Sequence, residues 1–109
     1  MTDVATEYLG ELRERFASLR GQWERAAAQV GDHAFFAAPD AETNSIAINF
    51  KHVGGNLRSR FTGFLTRDGE KPDRDRDGEF IAAGDTRASI EAVWRGGWSA
   101  VEGALASLA

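Results

Sequence analysis

The chain of 109 residues contains no cysteine. Disulfide bridges, thiolate metal sites and cysteine nucleophiles are therefore excluded. It has only two prolines, Pro39 and Pro72, and no stretch approaching the roughly eighteen apolar residues of a membrane span. The first ten residues, MTDVATEYLG, carry acidic side chains but neither a basic cluster nor an apolar run, so a signal peptide is not expected. Positive charge is not in excess either: 13 Lys and Arg stand against 17 Asp and Glu, a net charge of -4. Non-specific nucleic-acid binding needs the opposite balance, because its affinity comes from releasing phosphate counterions. These absences point to a cytoplasmic protein whose partners include neither nucleic acid nor membrane.

Hydrophobic residues make up 42% and charged residues 28% of the chain, which suits a globular protein rather than a disordered one. The length suits one domain over residues 1–109. The prolines divide it into three long segments, each with helical rather than strand periodicity. A first helix is expected from about Asp3 to Val30, with Val4, Tyr8, Leu12, Phe16, Leu19, Trp23, Ala26 or Ala27, and Val30 on one stripe. Thr2 or Asp3 is placed to cap it, and Gly31 to stop it in a left-handed conformation. Residues His33 to Thr43 read as a connection. A second helix is expected from Thr43–Ser45 to about Thr66, with Ile46, Phe50, Val53, Leu57, Phe61 and Phe64 on its apolar face. Residues Arg67 to Gly84 read as a charged loop. A third helix starts at the cap pair Asp85-Thr86 and carries Ile90, Val93 or Trp94, Trp98, Val101, Leu105 and Leu108. The mid-helix pairs Gly54-Gly55 and Gly96-Gly97 each cost about 1 kcal/mol per glycine against alanine, which implies that something packs close to them.

The block NSIAINFKHVGGNLRSRFTGFLTRDGEKPDRDRDGEF, Asn44 to Phe80, resembles the central block of an uncharacterised bacterial branch of the DinB-like superfamily. DTRASIEAVWRGGW, Asp85 to Trp98, is similar to the next block. The resemblance implies an all-α fold: an up-and-down helical bundle of three long helices, that is, a DinB-like four-helix bundle missing its fourth helix. It also implies, in many members, a divalent metal held by three histidines, one inside an H-x-x-x-N block of the second helix. That position maps onto His52 in KHVGGN. The other two belong to the last long helix of the family and map onto nothing here. His33 lies between the first two helices and does not match the pattern.

His52 is thus the candidate metal ligand, for zinc, nickel or iron, against the alternative of a hydrogen-bonded histidine on a helix flank. Asn56, one turn on, is a candidate to orient it; Ser45 is the expected helix cap. DRDRDG, Asp73 to Gly78, matches the first half of an EF-hand loop. Its twelfth position is Gly84, where a bidentate glutamate is needed, so it reads instead as a solvated turn with local Asp–Arg pairs. Lys51, Arg58 and Arg60 form a basic flank expected to pair with the acidic first helix. Trp23, Trp94 and Trp98 are expected in the core, with an aromatic groove for a small ligand as the lesser reading. No catalytic residue is assigned. The expected function is that of a non-catalytic DinB-like protein that covers its spare apolar surface by forming a homodimer, with Trp98, Val101, Leu105 and Leu108 as the candidate seam. The alternative is a metal-dependent transferase or hydrolase whose remaining ligands come from another chain or a further C-terminal region.

Overall fold

The computed structural model describes residues 3–108, and among these it is helical with no strand. Helix α1 spans Val4–Ala28, the short α2 Asp32–Phe36, α3 Ile46–Phe61 and α4 Arg87–Ser107, with a 3-10 turn at Asp77–Phe80. No helix among the described residues is long and apolar enough to cross a membrane. Each long helix starts on a side chain that takes up a free backbone N–H. Asp3 accepts from Thr6 N at 2.7 Å and Ser45 from Ile48 N at 3.1 Å; Thr2, the other candidate cap, lies outside the described residues. Thr86 and Ser89 form a reciprocal capping box at the start of α4, so Thr86 is the capping member of the expected Asp85-Thr86 pair.

The helix ends differ from the sequence reading. Gly31 does not stop α1: its φ is -78°, and it precedes α2 as an extended N-cap. The connection expected after it begins instead with that short helix. Arg87 closes the end of α1, donating to Ala27 O in its last turn at 2.5 Å and to Val30 O just beyond it at 2.9 Å. The same guanidinium lies 4.4 Å from the Phe35 ring centroid. A cation at a helix C-terminus also complements its dipole. Helix α3 stops at Phe61 rather than Thr66, because Thr62 is extended and Gly63 follows at φ +58°, a conformation that favours glycine.

Helices α3 and α4 form the tightest pair. A methyl group at Gly54 would lie 2.7 Å from Val93 O, and one at Gly97 2.5 Å from Gly54 O. Both contacts are with backbone, so these two glycines let the helices touch. The other two glycines differ: Gly96 has nothing within 4 Å, and Gly55 faces a side chain described below. Around this crossing, Phe35, Ile90 and Val101 are fully buried. Phe50 lies 4.3 Å from Trp94, and Trp23 stacks on Trp94 at 5.3 Å and 18°. The three tryptophans therefore serve the core. Trp98, Val101 and Leu105 are 6%, 1% and 6% exposed, which removes them from the expected self-association seam. They face inward because they share the side of α4 that carries Ile90 and Trp94. Leu108 alone of that set is exposed.

Helix α1 is covered far less. Leu9, Phe16, Trp23 and Ala27 pack on the core, while Val4, Tyr8 and Leu19 stay exposed. The expected stripe advanced in steps of four from Val4 to Phe16. Each such step overshoots a turn by about 40°, so the line winds off the core face. Besides Arg87, two polar ties hold α1 to α4: Glu24 accepts from Trp94 Nε1 at 2.9 Å, and Arg20 meets Glu102 at 3.2 Å. The radius of gyration is 15.6 Å, against about 13 Å for a compact chain near this length; α1 reaches beyond the rest.

The paired glycines give a sharp test. Gly97→Ala should lower unfolding free energy by about 2 kcal/mol, since two backbones must separate. Gly96→Ala should raise it by about 0.5–1 kcal/mol, as alanine is the better helix former. Urea denaturation followed by circular dichroism reads both; equal effects at the two positions would refute the close-crossing account.

Candidate functional site

His52 lies on α3 where the residues after Gly63 fold back along that helix. Its Nδ1 is 3.0 Å from Glu79 Oε1. Glu79 belongs to the 3-10 turn, and its side chain is only 8% exposed. The same carboxylate accepts two hydrogen bonds from Arg74, Nε to Oε2 and Nη2 to Oε1, both at 3.0 Å. This paired geometry is the strongest form of an arginine–carboxylate contact. Arg74 also meets Glu70 at 3.1 Å, and Glu70 meets Arg60 at 3.3 Å. The Phe80 ring covers the imidazole at a centroid distance of 4.7 Å. A Cβ at Gly55 would fall 2.2 Å from Glu79 Oε2, so the absence of a side chain there admits the carboxylate to the helix surface.

Burial by itself pushes the Glu79 carboxyl up. Hydrogen bonds and charge from Arg74, with a further bond from His52, outweigh it and hold the group below its ordinary range. Bonding to Glu79 raises Arg74 in turn. Beside this cluster, Lys51 donates to Asp85 Oδ2 and to Ile81 O, both at 2.7 Å. With help from Ser89, the Lys51 contact lowers Asp85. Farther along, Lys71 is buried. Its ammonium donates to Ser59 O at 2.6 Å and to Asp68 O, closing the C-terminal end of α3. Ser59 Oγ completes that zip, donating to Gly69 O at 2.7 Å and accepting from Lys71 N at 3.1 Å.

Several sequence expectations are corrected here. The basic flank does not pair with α1. Lys51, Arg58 and Arg60 instead meet Asp85, Asp73 and Glu70, because the following segment lies on that face of α3. Glu79, not Asn56, orients His52. Arg74 is not part of a solvated turn; its side chain is 2% exposed. Asp75 does form a local turn, accepting from Gly78 N at 3.0 Å. Glu79 and Arg74 were missed. The available signal was Gly55, a helical glycine beside the histidine position, which marks room for an incoming group.

The DinB-like resemblance implies a metal held by three histidines, and the residues present do not fit that group. His52 offers one nitrogen beyond the one facing Glu79. Glu79 is occupied by Arg74, and His33 stands on α2. Among the described residues no group of three His, Asp or Glu side chains is arranged to hold an ion. What the cluster does chemically is fix the 3-10 turn to α3 by charge-assisted hydrogen bonds. A separate cavity of about 530 Å³ opens between α1 and α4, lined by Phe16, Arg20, Trp98, Val101 and Leu105 among others. Trp98 Nε1 is buried without a hydrogen-bond partner among the described residues.

The Glu79 cluster generates a pH-dependent prediction. A carboxyl with a lowered folded pKa contributes stability that is complete above its ordinary value, 4.5 for Glu79. That contribution is lost as pH falls through the lower folded value. Glu79→Gln should destabilise the protein at pH 7 by about 3 kcal/mol, the scale of breaking a buried ion pair. The gap to the wild type should narrow as pH falls below 4.5, where the unfolded carboxyl takes up its proton, and close only once the folded carboxyl is protonated as well. Denaturant melts from pH 3 to 8 measure it; a gap independent of pH would refute the ion-pair account.

Comparison with curated proteins and with solved structures finds no match. A family model described as a protein of unknown function, DUF1572, matches residues 3–109. With nearly the whole chain matched, the protein belongs to the DUF1572 family, a DinB-like family.

Proposed function

We propose that this chain is a non-catalytic DinB-like helical protein that acts through association with a second copy of itself. The observation that carries the reading is the state of α1, which leaves Val4, Tyr8 and Leu19 in solvent at 81%, 61% and 50% exposure. A soluble chain gains by removing such a row from water, at roughly 25 cal/mol per Å² of apolar area. A homodimer is the commonest way to do so. The non-catalytic half of the reading rests on the cluster at His52. Its acid, Glu79, is engaged by Arg74 and by the histidine itself, and the three together hold a turn in place.

One observation favours a second reading, a metal-dependent transferase or hydrolase with His52 as one ligand. A carboxylate on one imidazole nitrogen, leaving the other free, is the usual support for a metal-bound histidine. The remaining ligands then come from outside the described residues.

Light scattering after size exclusion separates the two. The dimer's mass is expected at about 10 μM protein, with less than about one tenth of an equivalent of zinc, nickel or iron in protein purified without a histidine tag. Metal at about one equivalent, lost in His52→Ala, would overturn the first reading in favour of the second. A strict monomer at that concentration would remove the self-association.

A further inference from the structure

The exposed row on α1 has a regular spacing. Tyr8, Leu12, Arg15, Leu19, Gln22 and Ala26 follow one another in steps of four and three. That alternation is the 3.5-residue repeat of a helix seam, with Tyr8, half-buried Leu12, Leu19 and Ala26 as its apolar members and Arg15 and Gln22 as polar ones between them. It lies beside the line that packs on the core, Leu9, Phe16 and Trp23, so using it leaves α1 attached to its own chain. Large exposed apolar residues elsewhere, such as Leu65, Ile81 and Leu108, lie on different elements and do not form a row.

Charge along α1 selects the occupant. Residues 3–14 carry Asp3, Glu7, Glu11 and Glu14 against the single Arg13. Residues 15–28 carry Arg15, Arg20 and Arg25 against the single Glu24. A helix that is acidic in its first half and basic in its second is complementary to itself reversed. A parallel neighbour sets like charges side by side. The salt bridges formed within the chain engage Glu11, Arg15, Arg20 and Glu24. Among the described residues Glu7, Glu14 and Arg25 have no ion-pair partner and remain for a neighbour.

We infer that α1 pairs antiparallel with α1 of a second copy, about a two-fold axis near Arg15, with opposite charged halves facing each other. This rests on the self-association proposed above and specifies its interface. The axis position follows from overlaying the two halves, since the charge changes sign between Glu14 and Arg15. Complementary charges at such an interface set orientation and suppress the wrong one, while Tyr8, Leu12, Leu19 and Ala26 supply its apolar area.

The missing cysteines make the test clean, because any engineered thiol is unique. Under mild oxidation Arg15→Cys should form a covalent dimer. Val4→Cys should not, since its two copies are about 35 Å apart in the antiparallel pair. Glu7→Arg and Arg25→Glu should each weaken the dimer about tenfold, because each sets like charges opposite at both ends. An equimolar mixture of the two should recover the wild-type affinity within about twofold, since the heterodimer restores opposite charge at both ends. Circular dichroism confirms that each variant retains its helices. A wild-type monomer overturns both this interface and the self-association. A dimer whose affinity ignores both reversals, or which crosslinks through Val4→Cys, overturns this interface alone.

Discussion

The backbone contact between Gly54 on α3 and Gly97 on α4 sets the rest of the molecule. A methyl group at Gly97 would lie only 2.5 Å from Gly54 O, so the two helices meet there without intervening side chains. The large residues are therefore displaced to either side of the crossing. Phe50 and Trp94 close one flank at 4.3 Å, and Trp23 of α1 stacks on that pair. The interaction is one of fit rather than of strong attraction. Each glycine lowers helix propensity, and the return is close dispersion contact along a whole crossing. A core containing rings of this size at α3 and α4 would otherwise hold the helices farther apart.

The three long helices were legible because their apolar residues recur at helical intervals and their caps are explicit: Asp3, Ser45 and Thr86. The meaning of the glycine pairs was half legible. Something does pack against them, but the two members of each pair do different things. Adjacent residues on a helix point about 100° apart, so Gly54 faces α4 while Gly55 faces Glu79. The face of α1 was misread for a related reason. A run of apolar residues at steps of four is helical, yet it winds, and only neighbours in space decide which part of it is buried. The seam first sought on α4 is core because α3 and α1 both lie against it.

The candidate site was the least legible part. His52 was singled out by resemblance, but its partner Glu79 lies 27 positions further on and the arginine that holds Glu79 lies 22 on, within a stretch that reads as a charged loop. Charged residues in such a stretch are ordinarily solvated. Here the chain returns along α3, tied by Lys71 to Ser59 O, by Glu79 to His52 and by Lys51 to Asp85. Each of these ties joins a group on α3 to one in the segment that follows it. No local pattern announces such pairing, since it depends on the left-handed stop at Gly63 that turns the chain back.

The same ties bear on what His52 can do. A carboxylate fixed on one imidazole nitrogen sets the orientation and tautomer of the ring. Glu79 has its oxygens committed to a buried arginine, and that arginine is anchored again by Glu70. Moving the carboxylate means breaking a network rather than a single bond, and networks of this kind favour one geometry. Helix α1 stands in the opposite condition. It is fastened to α4 by a few side chains, and its apolar row and outer charges are uncommitted. The cluster at His52 is held in one arrangement by its network, while the uncovered apolar surface of the long helices lies on α1.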